Sequence, residues 1–277
     1  MYRNDYLFAH RFGRLPCSER NTVVSFAPNL ELLFTQHESF VDRLNAAADA
    51  GFTNVELWFT STLDVEELAA AAKSRGVKIT SILAEPRFNF TLPGQDLTIF
   101  FDGLRAAIAN AKILGAQNVV LGSGVGFPGK KRQPQLDQLV EVFKDAAKIA
   151  EAEGVTLILE PVNTRVDHPG ALLDRTEEGI YIAKGVGSPN FKILYDVYHS
   201  TVEQENPIEL VAKHSNLIGY IQIADAPGRG EPGSGKIDWP ATIAAIEASG
   251  YAAPIGLEFY PTKDSVEAVE YIQGFAK

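Results

Sequence analysis

Four residues, each closing an apolar run in the second half of the chain, carry groups that could work together: Glu160, Asp196, Gln222 and Glu258. The runs read Thr-Leu-Ile-Leu-Glu, Phe-Lys-Ile-Leu-Tyr-Asp, Ile-Gly-Tyr-Ile-Gln and Pro-Ile-Gly-Leu-Glu. Each is too short for a helix and suits a strand buried on both faces. Intervals of 36, 26 and 36 residues separate the four, each close to the roughly 30 residues of one strand-loop-helix-loop unit. Side by side in a parallel sheet, the runs deliver three carboxylates and one amide to a single rim. Oxygen donors of this kind suit one divalent cation, Mg²⁺ or Mn²⁺ first, with Co²⁺ also accommodated. Without a cation, three crowded carboxylates raise one another's pKa. A single strand-end glutamate is ordinarily an ion pair or a loop cap; four such positions on one rim are what point to a metal site. Gln222 is the weakest member, because an amide in a strand can simply satisfy backbone groups.

Other candidates lie on the loops that follow these strands. His199 comes just after Asp196, His168 and Arg165 lie in the loop after Glu160, and Arg229 stands in a Gly- and Pro-rich stretch, Asp225 to Lys236. These groups could grip a carboxylate or hydroxyls of a small substrate, and the turn formers fix Arg229 in place. His10, His37 and His214 have no expected role in a site. Gly122 to Lys130 superficially suggests a phosphate loop, but Lys131 stands where Ser or Thr would have to follow Lys130, so that match fails.

What must position these groups is visible in the rest of the chain. Strands are predicted at 22–27, 54–59 (with Glu56 near its end), 77–84 and 118–121, ahead of the four runs already named. Helices are predicted at 40–50, 64–74, 97–114, 136–152, 176–186, 207–214, 239–249 and 264–275. Asp64 caps one helix and Gly51, Gly76 and Gly154 close others. Residues 85–95 form a long loop with Pro86, Asn89, Pro93 and Gly94 as breakers. Eight strands alternating with eight helices predict a parallel sheet, and eight units in about 250 residues match one closed (β/α)8 barrel with its site at the carboxyl ends of the strands. An open doubly wound sheet lacks its Gly-x-Gly-x-x-Gly after the first strand. Residues 1–21 have no clear period and read as an extension; 22–277 read as the barrel domain.

Composition narrows the partners. A chain of 277 residues with 45% apolar and 22% charged content is ordinary for a globular protein. Its formal charge of −10 with dispersed cations argues against a nucleic-acid partner yet permits a small anionic substrate held by local positive groups. No apolar run reaches the roughly 18 residues of a membrane span. Residues 1–21 lack the apolar core of a secretory signal, and the single cysteine, Cys17, fits a reducing compartment. The expectation is a cytoplasmic protein, and a homo-oligomer is compatible with it.

The segments Leu-Glu-Pro-Val-Asn-Thr, Tyr-Asp-Val-Tyr-His, Ile-Gln-Ile-Ala-Asp-Ala-Pro-Gly-Arg-Gly-Glu-Pro-Gly-Ser-Gly and Gly-Leu-Glu-Phe-Tyr-Pro closely resemble the hydroxypyruvate isomerase family. That family sits within the xylose-isomerase-like barrels, which also hold ketose 3-epimerases, and the resemblance covers about residues 22–275. It implies a xylose-isomerase-like (β/α)8 TIM barrel, and one divalent metal held by Glu160, Asp196, Gln222 and Glu258. It also implies acid/base roles for Glu160 and Glu258 on two sides of the substrate, and substrate contacts from His199 and Arg229. Glutamine at 222 favours the isomerase branch, since the epimerases usually carry histidine there. One departure stands out. The family's glycine-rich loop with Gly-Glu-Arg-Gly is replaced here by Glu-Pro-Arg-Phe-Asn-Phe-Thr-Leu-Pro-Gly-Gln-Asp, which changes the wall of the pocket. The implied reaction interconverts an α-hydroxy aldehyde and a ketone, such as hydroxypyruvate and tartronate semialdehyde, through an enediolate. The competing readings are a ketose 3-epimerase, a damaged-DNA endonuclease of the same superfamily, which would need a histidine-rich zinc cluster, and a non-catalytic sugar-acid binding barrel.

Overall fold

The computed structural model describes residues 24–276; the expected extension over 1–21, with Cys17 and His10, lies outside the described residues. Seven parallel strands form one sheet in the order β1-β9-β8-β7-β6-β5-β4. These are β1 (Phe26–Pro28), β4 (Ser81–Leu83), β5 (Asn118–Gly122), β6 (Thr156–Glu160), β7 (Phe191–Asp196), β8 (Ile218–Ile223) and β9 (Ile255–Leu257). A parallel pair, β2 (Asn54–Val55) with β3 (Lys78–Ile79), completes the wall. The seam closes where the Glu56 amide donates to the Pro28 carbonyl at 3.0 Å and the Leu30 amide to the Glu56 carbonyl at 3.1 Å. On the other side, the Leu83 amide reaches the Trp58 carbonyl at 2.8 Å. The fold is a (β/α)8 barrel, as the alternation predicts.

The expected third strand, 77–84, is divided into β3 and β4 at Thr80, whose hydroxyl is engaged by the Val55 carbonyl at 3.1 Å and the Tyr220 hydroxyl at 2.8 Å. The helices are α1 (Phe40–Asp49), α2 (Val65–Arg75), α3 (Leu97–Leu114), α4 (Arg132–Glu153), α5 (Thr176–Val186), α6 (Val197–Val202), α7 (Pro207–His214), α8 (Trp239–Ala248) and α9 (Ser265–Gln273). Two differ from expectation. The helix expected at 136–152 begins four residues earlier, at Arg132. The short α6 is unanticipated: Asp196 ends its strand and caps a helix at once, its Oδ1 accepting from the Tyr198 amide at 2.7 Å. Apolar periodicity over so few residues is too brief to predict such an element.

Packing separates two layers. Most apolar side chains lie in one core between helices and sheet, while Leu83, Val120, Ile158, Leu194 and Tyr220 form a second cluster of their own. Side chains two apart on a strand share a face. Ile158 therefore lies directly below Glu160, Leu194 below Asp196 and Tyr220 below Gln222. The inner apolar layer is the floor on which the polar rim stands.

The loop from Asp225 to Lys236 is held from beneath. Asp225 is fully buried, and its two oxygens accept from the Ala226 amide at 2.8 Å, the Ile237 amide at 3.1 Å, the Gly233 amide at 2.7 Å and the Trp239 indole at 2.8 Å. Glu231, also buried, ties the same loop to the Thr262 amide at 3.0 Å and hydroxyl at 2.7 Å. Asp225→Ala strands four donors, each costing about 1–3 kcal/mol if left unpaired. Partial rescue by water brings the expected loss to about 3–5 kcal/mol. Urea unfolding of the variant measures it, and a loss under about 1 kcal/mol would show that the loop does not depend on this carboxylate.

Candidate active site

The strand ends converge on a cavity of about 570 Å³ whose lining includes Glu160, Gln222, Glu258, His199, His168 and Arg229. Every predicted site residue except Asp196 and Arg165 lines this cavity. Asp196 lies behind the wall with 2% of its surface exposed. Its Oδ1 caps α6, and its Oδ2 lies 3.7 Å from His199 Nε2 and 3.8 Å from Arg229 Nη2. Glu160 Oε1 stands 3.6 Å from the same histidine nitrogen. One ligand atom from each of Glu160, Asp196 and His199 falls within 4.8 Å of the others.

Arg229 is not the solvated loop charge that isolated arginines often are. It is 6% exposed, donates to Glu258 Oε1 at 2.8 Å, and its guanidinium lies 5.3 Å from the centre of the Tyr198 ring. Its backbone is in the left-handed region, φ 55°, which is costly for a residue with a Cβ. The Tyr260 amide donates to the Arg229 carbonyl at 2.8 Å, one of the ties that hold it there. Arg165 behaves otherwise: it pairs with Glu203 at 2.9 Å and does not line the cavity. His214 bonds Glu177 at 3.0 Å away from the rim.

The electrostatics are those of crowded anions around Arg229, with Arg87 acting on Glu160 from the cavity wall. Burial pushes Glu160 up, and the neighbouring Asp196 pushes it further. Burial also raises Asp196 and Glu258, against the pull of Arg229 on both. His199 is held well below the ordinary histidine range by burial and by Arg229, so it is neutral near pH 7. Burial opposes the charge of Arg229, yet Glu258, Asp196 and Glu160 together raise its pKa.

Sequence reasoning missed a fourth rim carboxylate as a member of the site. Glu56 is fully buried, and its Oε1 accepts from Asn29 Nδ2 at 3.1 Å and Gln222 Nε2 at 2.8 Å. In that bond the NH₂ of Gln222 faces Glu56 and the Gln222 carbonyl faces the other way. A Cβ on Gly256 would stand 2.3 Å from Glu56 Oε2 and 2.8 Å from Gln222 Cγ, so glycine is required there for the pair to fit. The signal was present, since Glu56 lies near the end of a predicted strand. Arg87 was missed too: the loop over 85–95 is anchored by Phe90, packed on Phe100 and Phe143 at centroid distances of 4.8 and 5.1 Å, and presents Arg87, Phe88 and Asn89 to the cavity.

The donor set fits a hard divalent cation. Asp196 Oδ2 and Gln222 Oε1 are buried acceptors with no hydrogen-bond partner among the described residues. Unpaired buried acceptors cost free energy that a cation would recover.

A family model described as the xylose isomerase-like TIM barrel matches residues 44–275. Hydroxypyruvate isomerase of Escherichia coli (strain K12) is 32% identical over 246 residues, covering 86% of this chain and 94% of that one. 2-Oxo-tetronate isomerase of Cupriavidus necator is 32% identical over 243 residues, covering 85% and 92%. Among solved structures, an AP endonuclease, family 2, from Brucella melitensis superposes with a TM-score of 0.84 at 26% identity, covering 92% of this chain and 100% of that one. D-Psicose 3-epimerase from Clostridium cellulolyticum H10 shares the fold, with a TM-score of 0.74 at 18% identity over 92% and 100% of the two chains. The chain belongs to the xylose isomerase-like TIM barrel family and, within it, to the hydroxypyruvate isomerase family of isomerases.

Proposed function

We propose that this isomerase interconverts a small α-hydroxy aldehyde and the corresponding ketone of a sugar acid, in the class of hydroxypyruvate and tartronate semialdehyde, by proton transfer through an enediolate. The observation that carries this reading is the pair of partnerless buried acceptors, Asp196 Oδ2 and Gln222 Oε1, beside two glutamates that line the same cavity. Glu160, Asp196, Gln222 and Glu258 would hold one Mg²⁺ or Mn²⁺. When bound, such an ion supplies Lewis-acid stabilisation to the negative charge that develops on neighbouring substrate oxygens.

The chain's own groups supply the rest. Glu160 and Glu258, on strands β6 and just past β9, flank the space where a substrate lies: one removes the carbon-bound proton and the other delivers a proton to the adjacent carbon from the opposite side. The hydroxyl proton passes to the neighbouring substrate oxygen, and exchange with solvent resets the two carboxyls. Arg229 orients Glu258 and offers charge-assisted contacts to substrate oxygens. His168 and His199 supply further polar contacts at the wall. Trp58, Phe88 and Tyr260 give that wall apolar surface, which limits water around the enediolate. Arg87 stands on the same wall as a second cation able to meet a substrate carboxylate.

Two features favour this over hydrolysis of nucleic acid. His168 and His199 are the two histidines among the cavity-lining residues, short of a histidine-rich zinc cluster, and the net charge of −10 opposes a polyanion. Among the described residues no helix is long and apolar enough to cross a membrane.

Two measurements test the proposal. Glu258→Ala removes an anionic donor, so Mn²⁺ affinity in a calorimetric titration should fall by well over tenfold, about 1.4 kcal/mol or more. Unchanged affinity would remove Glu258 from the ligand set. Turnover in D₂O should place deuterium on the product carbon, because a carboxylate base exchanges its proton with solvent. Product free of solvent deuterium at every conversion and pH would point instead to a hydride shift or to proton transfer fully shielded from solvent.

A further inference from the structure

The approach of His199 to Glu160 and Asp196 raises the question of what its ring contributes, and Asn163 answers it. Asn163 follows Glu160 by three residues and is fully buried. Its Oδ1 accepts from the backbone amides of Val166 at 3.0 Å and Asp167 at 2.9 Å. A backbone N–H can only donate, so the side-chain amide cannot be reversed. Its NH₂ therefore faces the other way, where Nδ2 lies 2.6 Å from Asp167 Oδ2 and 2.6 Å from His199 Nδ1. Two hydrogens meet two acceptors.

We propose that Asn163 is a positioning residue that locks His199 into the tautomer with its proton on Nε2, making it a hydrogen-bond donor to the reacting oxygens and not a nitrogen ligand. An amide NH₂ has no acceptor to offer, so Nδ1 must present its lone pair and the single proton of a neutral imidazole resides on Nε2. An imidazolium would set N–H against N–H at the same contact. The two neutral tautomers carry equal charge, so nothing titrates in this choice. Nε2 is buried and has no hydrogen-bond partner among the described residues; the carboxylate oxygens at 3.6 and 3.7 Å lie beyond hydrogen-bond range. The N–H is thus free to meet a substrate oxygen on which charge develops, where a preplaced donor is effective. A nitrogen that carries a hydrogen has no lone pair for a cation. Proximity alone groups His199 with Glu160 and Asp196, yet the fourth ligand falls to the carbonyl of Gln222, which the Glu56 carboxylate turns outward.

The donor role toward substrate rests on the isomerase reading above, whereas the tautomer does not. Long-range proton–nitrogen NMR of ¹⁵N-histidine-labelled protein, with His199 assigned by a His199→Gln variant, reads the tautomer directly. The expected spectrum shows a pyridine-type Nδ1 and a pyrrole-type Nε2. In Asn163→Asp an acceptor faces Nδ1, so the two shifts should exchange, and kcat should fall by about 10²-fold while Mn²⁺ remains bound. Pulsed electron spin resonance of the Mn²⁺-loaded protein should show no histidine nitrogen coupling in the native chain and should show one in Asn163→Asp. A protonated Nδ1, or nitrogen coupling from His199 in the native protein, would overturn the proposal. The native spectra decide it even if Asn163→Asp, with its carboxylate beside Asp167, does not fold. The expected tautomer in a protein inactive on every hydroxy-keto acid would sink the isomerase reading, with the donor role that rests on it, and leave the Asn163-set tautomer intact.

Discussion

The structure is organised around the difficulty of holding several carboxylates together out of water. Glu56, Glu160, Asp196 and Glu258 converge on one end of the barrel with Arg229 as the cation among them. Two like charges about 4 Å apart repel by about 4 kcal/mol at an effective dielectric of about 20, and burial adds a desolvation cost for each. The chain answers with specific groups. The first amides of α6 take one oxygen of Asp196, Arg229 takes Glu258, and two amide side chains take Glu56. What those groups leave unmatched is Glu56 Oε2, Asp196 Oδ2, the Gln222 carbonyl and the excess of negative charge itself, a donor set that fits a divalent cation.

The barrel is what makes such crowding sustainable. Alternation along a strand puts each functional side chain two residues above an inward apolar one, so Ile158, Leu194 and Tyr220 form a floor from which the polar rim cannot sink. The rim is held rigid from outside as well. Asp225 pins the loop that carries Arg229, and Gly256 leaves the space that Glu56 and Gln222 occupy. Positions that look remote from chemistry, a loop aspartate and a strand glycine, thereby fix where the charges stand.

Much of this was legible in the sequence because it depends on local rules. Short apolar runs ending in Glu160, Asp196, Gln222 and Glu258 identify strands, their spacing identifies one barrel, and the breakers around Arg229 identify a fixed loop. The rest depends on contacts distant along the chain. Glu56 meets Gln222 across 166 residues, and Asn163 meets His199 across 36, so no local pattern announces either pairing. The division of the third strand at Thr80 follows from a hydroxyl on another strand, and α6 is too short for periodicity to register. Arg165 and Arg229 look alike as rim-loop arginines; only the fold sends one to Glu203 and the other to Glu258.

We propose that the rim oxygens gather one cation and that His199 stands apart from it. Crystals of the protein grown with Mn²⁺, measured at the manganese absorption edge, locate the ion by its anomalous signal. A single peak should lie within about 2.0–2.4 Å of oxygens from Glu160, Asp196, Gln222 and Glu258, distances typical of hard cations on oxygen donors, with His199 Nε2 outside that shell. A peak bound through His199, one elsewhere on the protein, or none at saturating Mn²⁺ would contradict it.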